Sequence, residues 1–300
     1  MSEMTDISQI LPLMSNGYPL SSEPNRLGRL TPTAPHQPRE KLWEQYQAQG
    51  YLWLKNILPH QEILAFRQRY FKTMGKLIAP ETDPVDGIWS GELAPNFNRE
   101  LVEIVRWAAY ESFCLMTPIW QFYEMFLEGP AYLHKRKLIR HGVPEDTHTT
   151  GAHYDLTYLR GGTDRVCTSW IPIGDVSVAM GGLVYLEGSD VWGRKMEAEF
   201  AAQNQSLPPS ERISAYNKNT KTGWLGLDLA PLADRLNTRW LVADYEIGDM
   251  VVHSPYMIHA STMNVDRERR IRLSTDIRYQ RVTDEIDVRW NNHWSLDDML

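Results

Sequence analysis

His153 and Asp155 are separated by one residue in the run Gly151-Ala-His-Tyr-Asp-Leu156. On an extended strand, residues two apart point to the same side, so an imidazole and a carboxylate placed this way can bind one ion together. A histidine brought in from elsewhere would complete a 2-His-1-carboxylate facial triad, the ligand set of non-haem iron(II) oxygenases, which leaves positions open for a co-substrate and dioxygen. Of the nine histidines, His60 also belongs to a His-x-acid match, His60-Gln61-Glu62. That match falls at the start of a helical pattern, where i and i+2 do not share a face, and it reads as solvated surface. Spacing alone leaves the 153–155 pair divided between a metal site and a surface pair beside a turn.

Two histidines compete for the third position, both in Asp249-Met-Val-Val-His253-Ser-Pro255-Tyr-Met257-Ile-His259-Ala-Ser261. Period-2 alternation after Pro255 puts Met257, His259 and Ser261 on one face, while His253 precedes the proline at a strand end and reads as a hydrogen-bonded rim or supporting histidine. His259 is the preferred ligand. A 2-oxo acid held at such a metal also needs an anchor for its far carboxylate. The planar fork of arginine suits this because it pairs a carboxylate bidentately. Arg267, Arg269, Arg270 and Arg272 cluster just beyond His259. If 270–279 is a strand, Arg270, Arg272, Ser274 and Asp276 share its polar face. Arg270 and Arg272 are both candidates, with Arg267 and Arg269 as solvated turn charges.

The elements that must position these residues divide the chain in two. Residues 1–40 are rich in Pro, Ser, Thr and Asn and read as an extended arm. Residues 41–130 are helical in pattern. A helix over 40–49 closes at Gly50, a short strand follows over 51–57, and a helix opens at Pro59. Ile63, Phe66, Tyr70, Phe71 and Met74 form its apolar stripe. Two further helices are expected over 98–116 and 118–128. From 131 to 280, short β-type runs alternate with turns: 132–140, 152–160, 165–173, 182–187, 240–245, 249–253, 256–262 and 270–279. Such a set avoids open edges by closing into a barrel or a double-sheet jelly roll. Residues 191–240 form a polar, mostly non-strand insertion, either a lid carrying Trp192, Tyr216 and Trp224 or a surface insertion. The aromatic C-terminal run Arg289–Trp294 could cover a pocket or pack on the helices.

Bulk properties narrow the function classes. The chain has 300 residues and a net charge of −7, and no extended basic footprint for nucleic acid stands out. No apolar run reaches the length of a membrane span. The acidic N-terminus lacks a secretory n-region, and the two cysteines, Cys114 and Cys167, show no disulfide or thiolate-zinc spacing. A cytoplasmic setting and a small-molecule substrate follow as expectations; the oligomeric state does not show.

Taken in order, several blocks resemble the phytanoyl-CoA dioxygenase family of iron(II)/2-oxoglutarate oxygenases. They are Tyr46–Leu54 with the Pro59–Ile63 helix start, Gly151–Leu156, Trp170, Gly181–Asp190, and Gly248-Asp249 through His259 and Asn264 to Arg270. The resemblance runs from about residue 40 to residue 290. It implies one oxygenase domain over 41–300, mainly β with flanking helices around a double-stranded β-helix (jelly-roll, cupin-like) core. It implies His153, Asp155 and His259 as iron(II) ligands, Arg270 as the anchor of 2-oxoglutarate, Ser261 as a hydroxyl on the same carboxylate, and Trp170 lining the co-substrate site. A residue of the 137–140 run could also reach it. The family often has Leu-Pro-Gly-Ser-His where this chain has Leu186-Glu-Gly-Ser-Asp190, and 191–240 matches no part of it, which leaves the substrate open.

The chemistry implied is oxidative decarboxylation of 2-oxoglutarate by O2 to succinate and CO2, coupled to hydroxylation or desaturation of a C–H bond in a secondary metabolite or lipid-like compound. Asp155 argues against halogenation, since related halogenases lack this carboxylate. The rivals are a non-catalytic metal- or ligand-binding jelly roll and a zinc hydrolase on the same scaffold.

Overall fold

The computed structural model describes residues 8, 11–34, 36–92, 97–220 and 222–297. Its strands are β1 (Met14–Ser15), β2 (Tyr18–Pro19), β3 (Leu27–Arg29), β4 (Tyr51–Leu54), β5 (Ala131–Leu133), β6 (Leu138–Gly142), β7 (Cys167–Pro172), β8 (Leu183–Leu186), β9 (Trp240–Val242), β10 (Met250–His253), β11 (His259–Ser261) and β12 (Arg272–Arg281). A six-stranded sheet runs β4-β10-β7-β12-β5, with β6 also paired to β12, and a four-stranded sheet runs β11-β8-β9-β3. All pairs are antiparallel except β3 with β9. The N-terminal arm is therefore partly built into the fold, since β3 edges the smaller sheet.

Alternation along the strands sorts the side chains into layers. On the larger sheet, Leu52, Met250, Val252, Ile171, Leu273, Ile277 and Tyr279 face the helices and join one apolar core. Their alternates Tyr51, Trp53, Val251 and Trp170 face the smaller sheet, where they meet Leu183, Tyr185, Leu241 and Tyr245. The outer face of the smaller sheet, including Val184, Leu186 and Ala260, packs into a third cluster with Tyr256, Trp240 and Trp290. The space between the two sheets is thus reserved for the alternate residues of β7, β8, β10, β11 and β12.

The helices covering the large sheet are α1 (Arg39–Gln49), α2 (His60–Met74), α3 (Phe97–Ile104), α4 (Ala108–Cys114) and α5 (Thr117–Phe126). Helix α1 stops at Gly50, whose φ is +77, a conformation open to glycine at little cost. A Cβ there would also lie 2.7 Å from the Met257 sulfur. Helix α2 buries Ile63, Phe66, Tyr70, Phe71 and Met74 along one stripe, so its packing follows the 3.6-residue period. Its first residue is His60, with Pro59 as the cap. His60 is exposed and bonded to Asn56 at 2.7 Å. The expected helix over 98–116 is two helices, broken at Val105–Trp107.

The largest departure from the sequence pattern is at 152–160, which is no strand. Ala152 and His153 make isolated bridges to Gly226 and His259, and α6 (Leu156–Leu159) follows at once. The stretch 191–240 is partly helical: α7 (Asp190–Gln203), α8 (Pro209–Arg212) and α9 (Ala230–Leu236). Among the described residues no helix is long and apolar enough to cross a membrane.

Candidate metal centre and co-substrate cavity

His153 comes from the bridge beside β11, His259 opens β11, and Asp155 sits at the turn into α6. Their potential ligand atoms lie within 4.8 Å of one another. Both Nε2 atoms stand 3.7 Å from Asp155 Oδ1. The sequence argument invoked a strand to bring His153 and Asp155 together. The structure uses another device: the antiparallel bridge fixes His153 against His259, and Asp155, at φ −64 and ψ −31, turns its carboxylate back toward both.

Each imidazole is oriented by its own backbone. Nδ1 of His153 is 2.9 Å from the Gly151 carbonyl, and Nδ1 of His259 is 2.9 Å from the Met257 carbonyl. A carbonyl can only accept, so Nδ1 carries the proton and Nε2 presents its lone pair, the tautomer a metal requires. Burial, then the nearby rings of His153 and His253, hold His259 well below the ordinary histidine range, which keeps it neutral. Burial works against ionisation of Asp155, but Arg278 and the surrounding histidines outweigh it and hold the carboxyl well below the usual range. Two neutral imidazoles and one carboxylate fit a divalent cation of the first transition row.

Asp155 is braced on its far side. Arg278 Nη2 donates to both carboxylate oxygens at 3.0 Å, Thr168 donates to Oδ2, and His253 Nε2 lies 3.3 Å from Oδ2. His253 is fully buried and held through Nδ1 by the Tyr185 hydroxyl at 2.8 Å. The structure places it behind the carboxylate and outside the three-ligand cluster.

A small cavity opens beside the cluster, lined by His153, His259, Trp170, Leu183, Ser261 and Thr150, with Arg140, Arg272, Asp276 and Arg278 from the large sheet. Ser261 Oγ accepts the Thr150 N–H at 3.0 Å. Arg272 is only 7% exposed. Its Nη1 donates to Ser274 Oγ at 3.2 Å, and its Nε has no partner. Burial, then Arg140, lowers it to about 10, so it stays charged. Arg140 is neutralised by Asp276 at 2.7 Å. Arg272 makes no ion pair among the described residues, and a buried guanidinium in that state is a site for a carboxylate from outside the chain.

The structure does not bring Arg270 here, and Arg272 takes the position expected of it. Arg270 is bound by Asp266 at 2.7 and 3.1 Å and by Glu268 at 3.3 Å, with 37% of its side chain exposed. The cause is local. A turn with Arg269 at φ +60 precedes the strand, β12 starts only at Arg272, and the alternation that would put 270 beside 272 does not extend back through the turn. Forward it runs on: Arg272, Ser274, Asp276 and Arg278 form the inner row. Arg278 escaped the sequence reading because alternation was followed only to Asp276, although the expected strand extended beyond it. Arg140 lies in the 137–140 run, from which the resemblance implies a residue reaching the co-substrate site.

A larger cavity of about 210 Å³ lies over the cluster, walled by Tyr158, Tyr216, Trp224, Trp290, Trp294 and three arginines, Arg136, Arg140 and Arg278. Tyr216 and Trp224 come from the 191–240 stretch and Trp290 and Trp294 from the C-terminal run, whereas Trp192 packs with the cluster under the smaller sheet. Leu225 N–H donates to the Ala152 carbonyl, and Ala152 N–H to the Gly226 carbonyl, so this wall is tied one residue from His153.

The family model for phytanoyl-CoA dioxygenase (PhyH) matches residues 46–271. No sequence among the curated proteins matches the chain. Solved structures do share its fold. The epimerase SnoN, in complex with Fe3+, alpha ketoglutarate and nogalamycin RO, superposes with a TM-score of 0.54 at 17% identity, over 83% of this chain and 85% of that one. The carbocyclase SnoK from nogalamycin biosynthesis, alpha ketoglutarate dependent, gives 0.52 at 19% over 84% and 88%. AviO1 from Streptomyces viridochromogenes Tue57 gives 0.52 at 18% over 84% and 98%.

Proposed function

The chain belongs to the phytanoyl-CoA dioxygenase family, a family of non-haem iron/2-oxoglutarate-dependent oxygenases, and from that premise we propose that it hydroxylates or desaturates a C–H bond of a small molecule, releasing succinate and CO2. The observation that carries this is the pairing of two features on one cavity wall. Two histidine lone pairs and a carboxylate converge on one point, and beside them Arg272 is buried, charged and without an acid partner. A 2-oxo dicarboxylate needs both features, a metal for its keto-acid end and a cation for its far carboxylate.

In this reading His153, Asp155 and His259 hold the iron. Arg272 takes the distal carboxylate of 2-oxoglutarate, with Ser261 and Trp170 walling the same space. Bound iron(II) and 2-oxoglutarate supply the oxidising equivalent from O2; the protein supplies position, a fixed ligand tautomer and a dry enclosure. Asp155 stays ionised because Arg278, Thr168 and His253 hold it, and a carboxylate at this position leaves no ligand site for chloride, in favour of hydroxylation or desaturation. The two facing sheets are read as the halves of a double-stranded β-helix, and 41–300 as one oxygenase unit with 191–240 inserted. Cys114 and Cys167 are both buried and free, which suits a cytoplasmic setting. The similarity in fold to SnoK, a carbocyclase of nogalamycin biosynthesis, supports a secondary metabolite over phytanoyl-CoA itself.

Anaerobic titration tests the assignment. A visible iron(II)–2-oxoglutarate charge-transfer band is expected in the native protein and no band in His259→Ala. His253→Ala should retain it. Loss in His253→Ala with retention in His259→Ala overturns the ligand choice, and 2-oxoglutarate turnover that proceeds without O2 overturns the oxygenase reading.

A further inference from the structure

Arg272 also borders a second cavity, distinct from the aromatic one over the metal cluster. This outer cavity of about 340 Å³ is lined by β6, the 143–150 stretch, the first turns of α3, and Thr262 and Asn264 beyond β11. Its outer end is open to solvent: the His148 side chain is 94% exposed, and Asn98 is exposed on α3. Its inner end is Arg272, which is buried and also walls the co-substrate cavity. Gly142 makes room for the guanidinium there, since an added Cβ would lie 3.0 Å from Arg272 Nη2. Asn264 fixes the same end, donating to the Gly142 carbonyl at 2.9 Å and the Arg270 carbonyl at 2.8 Å. A wall divides the two larger cavities, because Arg140, Thr150, Trp224 and Trp294 line both. The Trp224 indole in that wall rests on the Gly151 backbone, two residues from His153.

We propose that the outer cavity is a separate entrance for the co-substrate: 2-oxoglutarate reaches its site, and succinate leaves it, through the His148 mouth, while the organic substrate uses the aromatic cavity. This rests on the oxygenase reading above and adds a route to it. The chemistry of the two linings favours the division. The aromatic side adds Tyr158, Tyr216 and Trp290, apolar faces that suit a carbon skeleton. The Arg272 side adds hydroxyl, amide and imidazole groups from Thr149, Thr262, Asn264 and His148, which keep a small dianion solvated in transit at lower cost than rings do. Its one acid among the described residues, Asp146, stands at the outer end beside His148 Nδ1 at 3.1 Å. The keto-acid end leads and the far carboxylate stops at Arg272, so the molecule is seated in the order in which it enters. An organic molecule filling the aromatic cavity then leaves the co-substrate free to exchange.

The test follows 2-oxoglutarate association with and dissociation from the anaerobic iron(II) protein by stopped flow, read through the charge-transfer band. Cys114 and Cys167 are both buried, so a bulky maleimide dye attaches at introduced cysteines. The double variant Asn98→Cys/His148→Cys carries the dye at the polar mouth, and Tyr216→Cys carries it at the rim of the aromatic cavity. In the labelled double variant both rate constants should fall about tenfold with Kd within about twofold, because an obstruction on a route slows passage alike in both directions. In labelled Tyr216→Cys both should stay within about twofold of the unlabelled protein. Unchanged rates in the labelled double variant, a slowing in labelled Tyr216→Cys as large or larger, or a weakened Kd at an unchanged association rate each overturn the proposal. Failure of the oxygenase reading itself looks different: no charge-transfer band would form even in the unlabelled native protein.

Discussion

The two walls of the central cavity are made in opposite ways. One is the inner row of β12, four polar side chains from Arg272 to Arg278 on a ten-residue strand, paired to β7 on one side and to β5 and β6 on the other. The other is loop-borne and aromatic: Tyr216 and Trp224 from one connection, Trp290 and Trp294 from the C-terminal run. Ladder hydrogen bonds hold the first wall rigid, which suits groups that must meet a co-substrate within a fraction of an ångström. In the second wall Tyr216 and Trp224 are partly exposed and their connection is tied through the bridge at Ala152, which suits a surface that sets what enters. In the proposed reading the co-substrate is held mainly from a strand, and selection falls to the loops.

The comparison breaks most sharply at Asp155. It is the partner of Arg278, so its removal leaves a buried guanidinium without a counter-charge, a loss of about 3–5 kcal/mol in comparable buried pairs. Asp155→Ala should therefore lose the metal and also destabilise the apo protein by that order in urea unfolding. A stable apo variant would mean that the strand wall does not depend on its ion pairs.

Arg272 gives the next largest effect. Arg272→Gln removes a charged contact to the co-substrate and should raise the KM for 2-oxoglutarate about ten- to hundredfold. It should cost the apo protein little, because Arg272 has no ion-pair partner among the described residues. Arg270→Gln should leave that KM within about twofold. The reverse ranking would restore the assignment suggested by the family-like spacing.

That pair of arginines shows where the sequence stops being legible. The residue types of the site, their order, and the helical stripe of α2 can be read directly, because they depend on composition and on periods of 2 and 3.6. Register at a strand's edge cannot. Whether β12 begins at 270 or 272 depends on the turn that Asp266 and Arg269 form, and that two-residue difference decides whether Arg270 joins Arg272 on the cavity face. The stretch 152–160 fails for a related reason. A β-rich composition there predicts a strand, yet the chain contributes only two bridge residues and then turns into α6, a tertiary arrangement set by Gly226 and His259 far along the sequence. Arg278 was within reach, since it lies on the same face as Arg272 by simple alternation. Its tie to Asp155 was not, because that contact spans 123 residues.

The buried histidines around the cavity have a pH signature. His134 and His141 are pushed down to about 4 by burial, and His259 is held well below its ordinary value. Protonation favours the unfolded chain, where histidine titrates near 6.5. Each of these groups thus makes the unfolded state bind more protons once pH drops below about 6.5, and stability must fall toward about pH 4. The slope is about 1.4 kcal/mol per pH unit for each fully titrating group. Asp155 has the same sign but acts only below about pH 4. Urea midpoints of apo protein at pH 7 and pH 5 should show the decline, and His141→Gln should remove about one-third of it.

The smallest effect belongs to the loop wall and sharpens the division between the walls. Trp224 lies against Gly151, where an added Cβ would come 2.9 Å from the indole, yet 39% of the residue is exposed. Trp224→Ala should cost about 1 kcal/mol of contact with a bound substrate, part of what full burial of an aromatic contributes. The KM for the organic substrate should then rise about three- to tenfold, with the KM for 2-oxoglutarate within twofold and the melting temperature within about 2 °C. A loss of 2-oxoglutarate affinity in this variant would show that the rim is mechanically continuous with His153 through Gly151 and Ala152, and that selection and chemistry share one wall.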